Sequence, residues 1–513
     1  MRRTSRDGRT TALGFGGYGG GGAVSGATGG RATGGPAPGG DAAVSSADGG
    51  PASGGRAARS SAKGGSGPGS HAVGGPASGG HVVGGAADGG HPADGSGPGG
   101  QSVQGRGPVR FGPSAPEVGV PVLAELGEVC AAAAGRDDAE PPGGGAILRE
   151  AACGYWGRRG HRVRAEDVVA APGAPSLLFA LLAALGGDVL VPRPCPAWWA
   201  PQVRLLGRTA YSVPTPAECG GVPDPYALLE TVRRVRAEGG DPRVLLLSPA
   251  DDPTGTVAPP ELVSEACEAA VAEGLHLVSD ETWCDTLHAP HGTVLFSPAE
   301  RWPDDVTVLY DTVGALLPAA WPAAVARFPA TPDGAARRTD TLDILTALGA
   351  FVAGPVGAAA VYALDEPRPV ADRARVVATL HARVAAAAHR LVLSCGALSL
   401  PPEAGRHLYA DLGPLRERLA ALGVTDSLEL EDHLSDRLGT PVPGGHRFGE
   451  APDTLRVRLP TGPLLGTTPE ERLESLTAPD PLALPQVAEA LARLGSAFGE
   501  LSEEAPPSGD APQ

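Results

Sequence analysis

The sequence predicts an α/β domain with a mainly parallel sheet, joined to a smaller α+β part, on three observations. The composition changes at about Pro108: the residues before it are dominated by Gly, Ala, Ser and Pro, in short units ending in Gly-Gly such as 27–30 and 81–85. Such a stretch cannot bury enough apolar surface to offset its conformational entropy. Beyond it, short runs of branched apolar residues alternate with longer amphipathic stretches, the pattern of strands and helices in turn. Proline and glycine stand where elements should open and close.

In order, 168–171 reads as a strand end, 176–185 as an apolar helix and 188–191 as a strand. A strand at 244–247 precedes a helix opened by Pro259 or Pro260 and closed by Gly274, then strands at 275–279 and 306–310. After Asp340, helices rich in Ala, Leu, Arg and Val run to about Arg390, and short strands near 408–412 and 455–459 follow among further helix. This divides the chain into a flexible 1–107, a tether or solvated filler. An arm and first part of the small domain at 108–165, a large domain at 166–330, linking helices with the rest of the small domain at 331–502, and a loose polar tail at 503–513 follow.

A formal net charge of −17 disfavours nucleic acid or an anionic membrane as partner, since both reward a basic face. No uninterrupted apolar run is long enough to cross a bilayer, and Arg2, Arg3 and Arg6 precede glycines instead of an apolar signal core. The expectation is a cytoplasmic protein. Seven cysteines without a CxxC pair fit a reduced compartment and predict no metal site. Of 41 Lys and Arg residues only Lys63 is lysine. Arginine replaces lysine readily on a surface, but its guanidinium stays protonated and is a poor nucleophile.

Four motifs recur in a meaningful order. Leu148-Arg149-Glu150-Ala151 leads to Tyr155 and Arg158-Arg159-Gly160; strand 168–171 runs into Pro172-Gly173-Ala174; Asp252-Pro253-Thr254-Gly255 precedes Asp280-Glu281 by 25 positions; Leu455-Arg456-Val457-Arg458 follows Pro443-Gly444 and Phe448-Gly449. From about Pro108 to Ser496 the chain resembles the class I/II aminotransferases, fold type I pyridoxal-phosphate enzymes. The resemblance implies a seven-stranded, mainly parallel sheet in the large domain, a homodimer, and pyridoxal phosphate as cofactor.

It also assigns candidate residues. Asp280 would hold the pyridine nitrogen protonated, so that the ring acts as an electron sink. Gly173, Ala174 and Ser176 would meet the cofactor phosphate, and Arg456 would grip a substrate carboxylate with its planar fork.

Several positions depart from the family pattern. The lysine that condenses with the cofactor falls on Gly314, the phosphate-gripping arginine on Pro322 beside Trp321, and the serines before the lysine on Asp311 and Val313. Trp283 stands for the tyrosine, and Asp252 for the asparagine, at the ring oxygen, where a carboxylate would be repelled. Pro175 supplies no N–H to the phosphate turn. Cys195-Pro196 replaces the ring-stacking aromatic, with Trp198 or Trp199 as its stand-in, and the tyrosine lent by a neighbouring subunit falls on Ala139. The sequence therefore predicts a catalytically degenerate homologue that binds pyridoxal phosphate or an amino-acid-like or carboxylate ligand non-covalently at most, or no cofactor at all. Its rival is an active enzyme using a lysine-free mechanism. A decaying copy is a third reading, which the regular apolar spacing of the helices opposes.

Overall fold

Burial of both faces explains the centre of the fold. A computed structural model describes residues 118–135 and 140–502, all within the unit Gly100–Gln513. The segments 1–107 and 503–513 and Ala139 lie outside the described residues. Seven strands form one sheet: β1 (Val168–Ala171), β2 (Asp188–Arg193), β3 (Ala210–Pro214), β4 (Pro242–Leu247), β5 (His276–Asp280), β6 (Val306–Asp311) and β7 (Ala324–Arg327). Their order is β1-β7-β6-β5-β4-β2-β3, and only β7 runs against its neighbours. The central strands β5 and β6 are buried along their whole length, so apolar residues fall on both of their faces.

The helices obey their punctuation. The one expected at 176–185 begins at Ala174, because Pro175 fits the first turn, where an N–H has no intrahelical partner anyway. The helix opened by Pro260 runs to Ala272, and Gly274 takes the positive φ of 72° that turns the chain into β5. Two strands of this sheet were not anticipated. β3 is a five-residue edge strand, and β7 has four residues bounded by Pro322 and Pro329, too short to show a period.

A second sheet, β10-β9-β8, is antiparallel and comprises β8 (Leu398–Ser399), β9 (His407–Asp411) and β10 (Arg456–Pro460). Its core of Leu408, Ala410, Val457 and Leu459 packs with Ala388, Val392 and Phe498 from two helices. One of them, Arg368–Ser394, corrects the expectation about membrane-length segments: 18 of its residues reach a mean hydropathy of 1.3, enough by length and composition. Alanines raise the average although arginines interrupt the run. Its Val377, Leu380, Val384 and Val392 are buried inside the protein, the placement of a core helix.

Candidate functional site

Sheet register builds the site. β5 and β6 are parallel neighbours, with Asp280 opposite Leu309, so Asp280 and Asp311 close two adjacent strands at the same end. Ligands in open α/β sheets bind in the crevice beyond the carboxyl ends of the strands. A cavity of about 770 Å³ lies there, lined by Gly173, Asp252, Asp280, Trp283, Asp311 and Arg458 among others.

Asp280 receives two hydrogen bonds on Oδ1, from the Thr282 N–H (3.1 Å) and hydroxyl (2.6 Å). Burial still pushes its pKa up to about 6. Asp311 accepts the Ala174 N–H on Oδ2 (2.6 Å) and the Val313 N–H on Oδ1 (3.1 Å). Burial raises it to about 6 as well, with Asp280 adding to the shift. The carboxylate of Asp311 thus occupies the N-terminus of the helix Ala174–Leu185, the ready-made anion site of this turn.

The remaining candidates divide. Pro322 packs over Gly173, 3.3 Å from where a Cβ would stand. Ser176 is not among the cavity residues: its hydroxyl donates back to the Pro172 carbonyl at 2.7 Å, so the expected phosphate donor is spent on its own turn. Of the two tryptophans Trp198 lines the cavity, whereas Trp199 is buried in the core. Trp283 lines it too and meets His407 edge-on, with ring centroids 5.5 Å apart. A Cβ on Gly314 would run into the carbonyl oxygen of Thr282, so this backbone has no room for any side chain there.

Arg456 stands apart from the cavity. Its fork is filled by Asp411 (2.9 Å) and Glu450 (2.7 Å), and it does not line the cavity. Arg458 does. Two residues on along β10 it shares a face with Arg456, is 6% exposed, and lies 2.6 Å from Asp252 in a close charge contact. Its other side donates to His407 Nδ1 at 2.9 Å, which assigns the ring proton to Nε2. Sequence reasoning also missed Arg373 and Arg406, both cavity residues, because no local motif marks them. Arg447 reaches the cavity as well, with its guanidinium held by Glu431 at 2.5 and 2.6 Å.

Buried carboxyl groups and buried histidines pull the stability of this protein in opposite directions as pH changes. Burial raises Asp251 and Glu281 to about 7, and Asp280 and Asp311 to about 6. In the unfolded chain such groups titrate near 4. Through them the folded state binds more protons between those values, so their share of the stability falls as pH rises from about 4 to about 7. Burial lowers the pKa of His276 and His381, so through them the folded state binds fewer protons below about pH 6.5 and their share falls as pH drops. Glu281→Gln isolates the carboxyl share: the stability at pH 5.5 relative to pH 7.5, measured by urea unfolding, should be at least about 1 kcal/mol lower in the variant than in the wild type. An unchanged difference would contradict the environment of Glu281.

Comparison with known proteins places this geometry. Residues 123–313 match the family model "Aminotransferase class I and II". The chain is 31% identical over 195 residues to a probable aspartate/prephenate aminotransferase of Thermus aquaticus, covering 37% of this chain and 49% of that protein. It therefore aligns with about half the length of that relative. A probable aspartate/prephenate aminotransferase of Aquifex aeolicus is 23% identical over 358 residues, covering 68% of this chain and 86% of the relative. Among solved structures, aspartate aminotransferase from Thermus thermophilus with maleate superposes with a TM-score of 0.60 at 20% identity, over 76% of this chain and 90% of its own. N-Succinyldiaminopimelate aminotransferase from Mycobacterium tuberculosis does so with a TM-score of 0.60 at 21% identity, over 75% and 92%. Residues 123–313 thus carry the aminotransferase class I and II signature, on a chain whose α/β fold is that of the aspartate aminotransferases.

Proposed function

We propose that this protein is a pseudo-aminotransferase: a member of the aminotransferase lineage that binds a small ligand in the ancestral cavity without covalent cofactor chemistry. The observation that carries the reading is Gly314. It stands where the resemblance sets the condensing lysine, and Thr282 closes the space above it. No residue after Lys63 is a lysine.

Pyridoxal phosphate does not fit the residues present. Its phosphate would meet the Asp311 carboxylate on the Ala174 N–H, with Pro322 where the gripping arginine is expected. Its ring oxygen would meet Asp252, already neutralised by Arg458. Asp280 alone keeps the family's arrangement, and it favours the rival reading, a cofactor held without a covalent bond.

A titration separates the two. Pyridoxal phosphate or pyridoxamine phosphate added to the full-length protein should leave the melting temperature unchanged, and borohydride should fix no label within residues 118–502. Binding at a hundredfold excess over Kd would add about 2.7 kcal/mol, several degrees in a domain of this size. Such a shift without a fixed label supports the lysine-free enzyme; a fixed label refutes both readings. The proposal keeps the homodimer that the resemblance implies, which the mass in solution tests.

A further inference from the structure

A second pocket, of about 350 Å³, opens beside the antiparallel sheet and shares no lining residue with the cavity at the strand ends. Its size falls within the range of about 300–1,000 Å³ usual for small-molecule sites. The wall is apolar: Leu408 of β9 and Leu459 of β10 meet Ala388, Val442 and Leu494. Two arginines, Arg472 and Arg493, line the same pocket, and among the described residues no acidic side chain does. Nor does either arginine form an ion pair among the described residues. An apolar hollow with positive charge alone at its polar side suits a ligand with one anionic end.

The guanidinium of Arg472 is held for such a ligand. Its Nη1 donates to the carbonyls of Gly466 (3.3 Å) and Thr467 (3.0 Å), both of which line the pocket, and this leaves the Nε–Nη2 edge. Nε is shielded from water and has no acceptor among the described residues. The same edge grips a carboxylate elsewhere in this protein. Arg164 donates from Nε (2.7 Å) and Nη2 (2.9 Å) to the two oxygens of Asp167, and Arg447 does so to Glu431 at 2.6 and 2.5 Å. Glu471, next to Arg472 in the chain, is committed to capping its own helix: its Oε2 accepts the N–H groups of Thr467 (2.7 Å) and Thr468 (3.1 Å). The orphaned edge therefore matches a carboxylate from outside the protein, which two parallel hydrogen bonds would hold.

We propose that this second pocket binds a small monocarboxylate with an apolar tail, its carboxylate on the Nε–Nη2 edge of Arg472 and its tail against Leu408, Leu459 and Leu494. Arg493 adds positive charge at the same pocket and favours the anion over a neutral or cationic analogue. The site is independent of what fills the larger cavity, so it stands whether or not pyridoxal phosphate binds there.

Calorimetric titration of the full-length protein with octanoate, octylamine and acetate tests it. Octanoate should bind at least tenfold more tightly than either of the others, because octylamine carries the wrong charge and acetate has no tail to bury. Arg472→Gln should weaken octanoate at least tenfold, and Arg373→Gln, in the larger cavity, should leave it unchanged. Should Arg472→Gln lose its cooperative melt, Thr440→Trp provides the second test, since a ring at this partly exposed lining position fills the pocket and should abolish octanoate binding. Octylamine or acetate binding as tightly as octanoate, or a folded Arg472→Gln or Thr440→Trp protein that binds octanoate like the wild type, would overturn the proposal. So would loss of octanoate binding in Arg373→Gln, which would move the ligand to the larger cavity. Absence of octanoate binding to the wild type, as when the chain preceding Val118 fills the pocket, would overturn it as well.

Discussion

Asp285→Ala is expected to destabilise the protein by about 3–5 kcal/mol, the largest single loss we anticipate, with no direct effect on the cavity floor. Asp285 follows β5 and ties three elements together. Its Oδ2 accepts the hydroxyls of Tyr155 (2.7 Å) and Tyr310 (2.8 Å), and its Oδ1 takes the Arg159 guanidinium at 2.7 Å. Arg159 continues to Glu366 at 2.8 Å and lies 3.6 Å from the centre of the Tyr155 ring. The two tyrosine rings are tilted together at 4.5 Å. Burial raises both phenols well above their ordinary pKa, so they stay neutral donors that require an acceptor. Alanine would strand two buried hydroxyls, at about 1–3 kcal/mol each, and leave Arg159 with one carboxylate fewer. Arg159 is partly exposed, so water recovers some of the arginine's share. Asp285→Asn keeps one carbonyl acceptor and should lose roughly half as much. Urea midpoints of the two variants measure this. A loss under about 1 kcal/mol in the alanine variant would show the network to be incidental.

That network also accounts for part of what was legible beforehand. Tyr155 and Arg159 belong to the first motif of the resemblance, and their work is to anchor a helix to β6 and to the turn after β5, not to touch a ligand. The central strands could be read because burial on both faces concentrates apolar residues there, as in Val308, Leu309 and Tyr310. β3 and β7 escaped because each is short and carries a single branched apolar residue, Val213 and Val325. Asp280 was legible as a strand-end carboxylate. Arg458 was not, because Arg456 and Arg458 share one face of β10, and the choice between them is made by Asp411 and Glu450 holding the first. The role of Asp311 was hidden for a similar reason: its hydrogen bond reaches Ala174, 137 positions earlier in the chain. Arg373 lies on a helix and Arg406 just before a strand, with no motif around them, and only folding brings them to one cavity.

Gly314→Ala should cost about 1–3 kcal/mol, and Gly314→Lys should not recover condensation with pyridoxal phosphate. The turn Thr312–Gly314 is fastened on every side. The Thr312 hydroxyl donates to the Ala323 carbonyl at 2.6 Å, the Thr312 carbonyl accepts the Leu316 and Leu317 N–H groups at 2.8 Å, and the Val313 N–H is held by Asp311. A Cβ at 314 meets the Thr282 carbonyl, and Thr282 supplies both hydrogen bonds to Asp280. Neither side can yield cheaply, since the clash is with backbone and moving Thr282 disturbs a buried carboxylate. The contrast is Gly127, inside the helix Ala124–Ala133 with open space where a Cβ would stand. There alanine should stabilise by about 0.5–1 kcal/mol through helix propensity alone. Thermal and urea unfolding of the two alanine variants should move in opposite directions. A Gly314→Ala protein as stable as the wild type would mean that the pocket retains space for a side chain. A Gly314→Lys protein that takes up a borohydride-stable label would then identify a cavity still able to hold the cofactor, lacking only its amine.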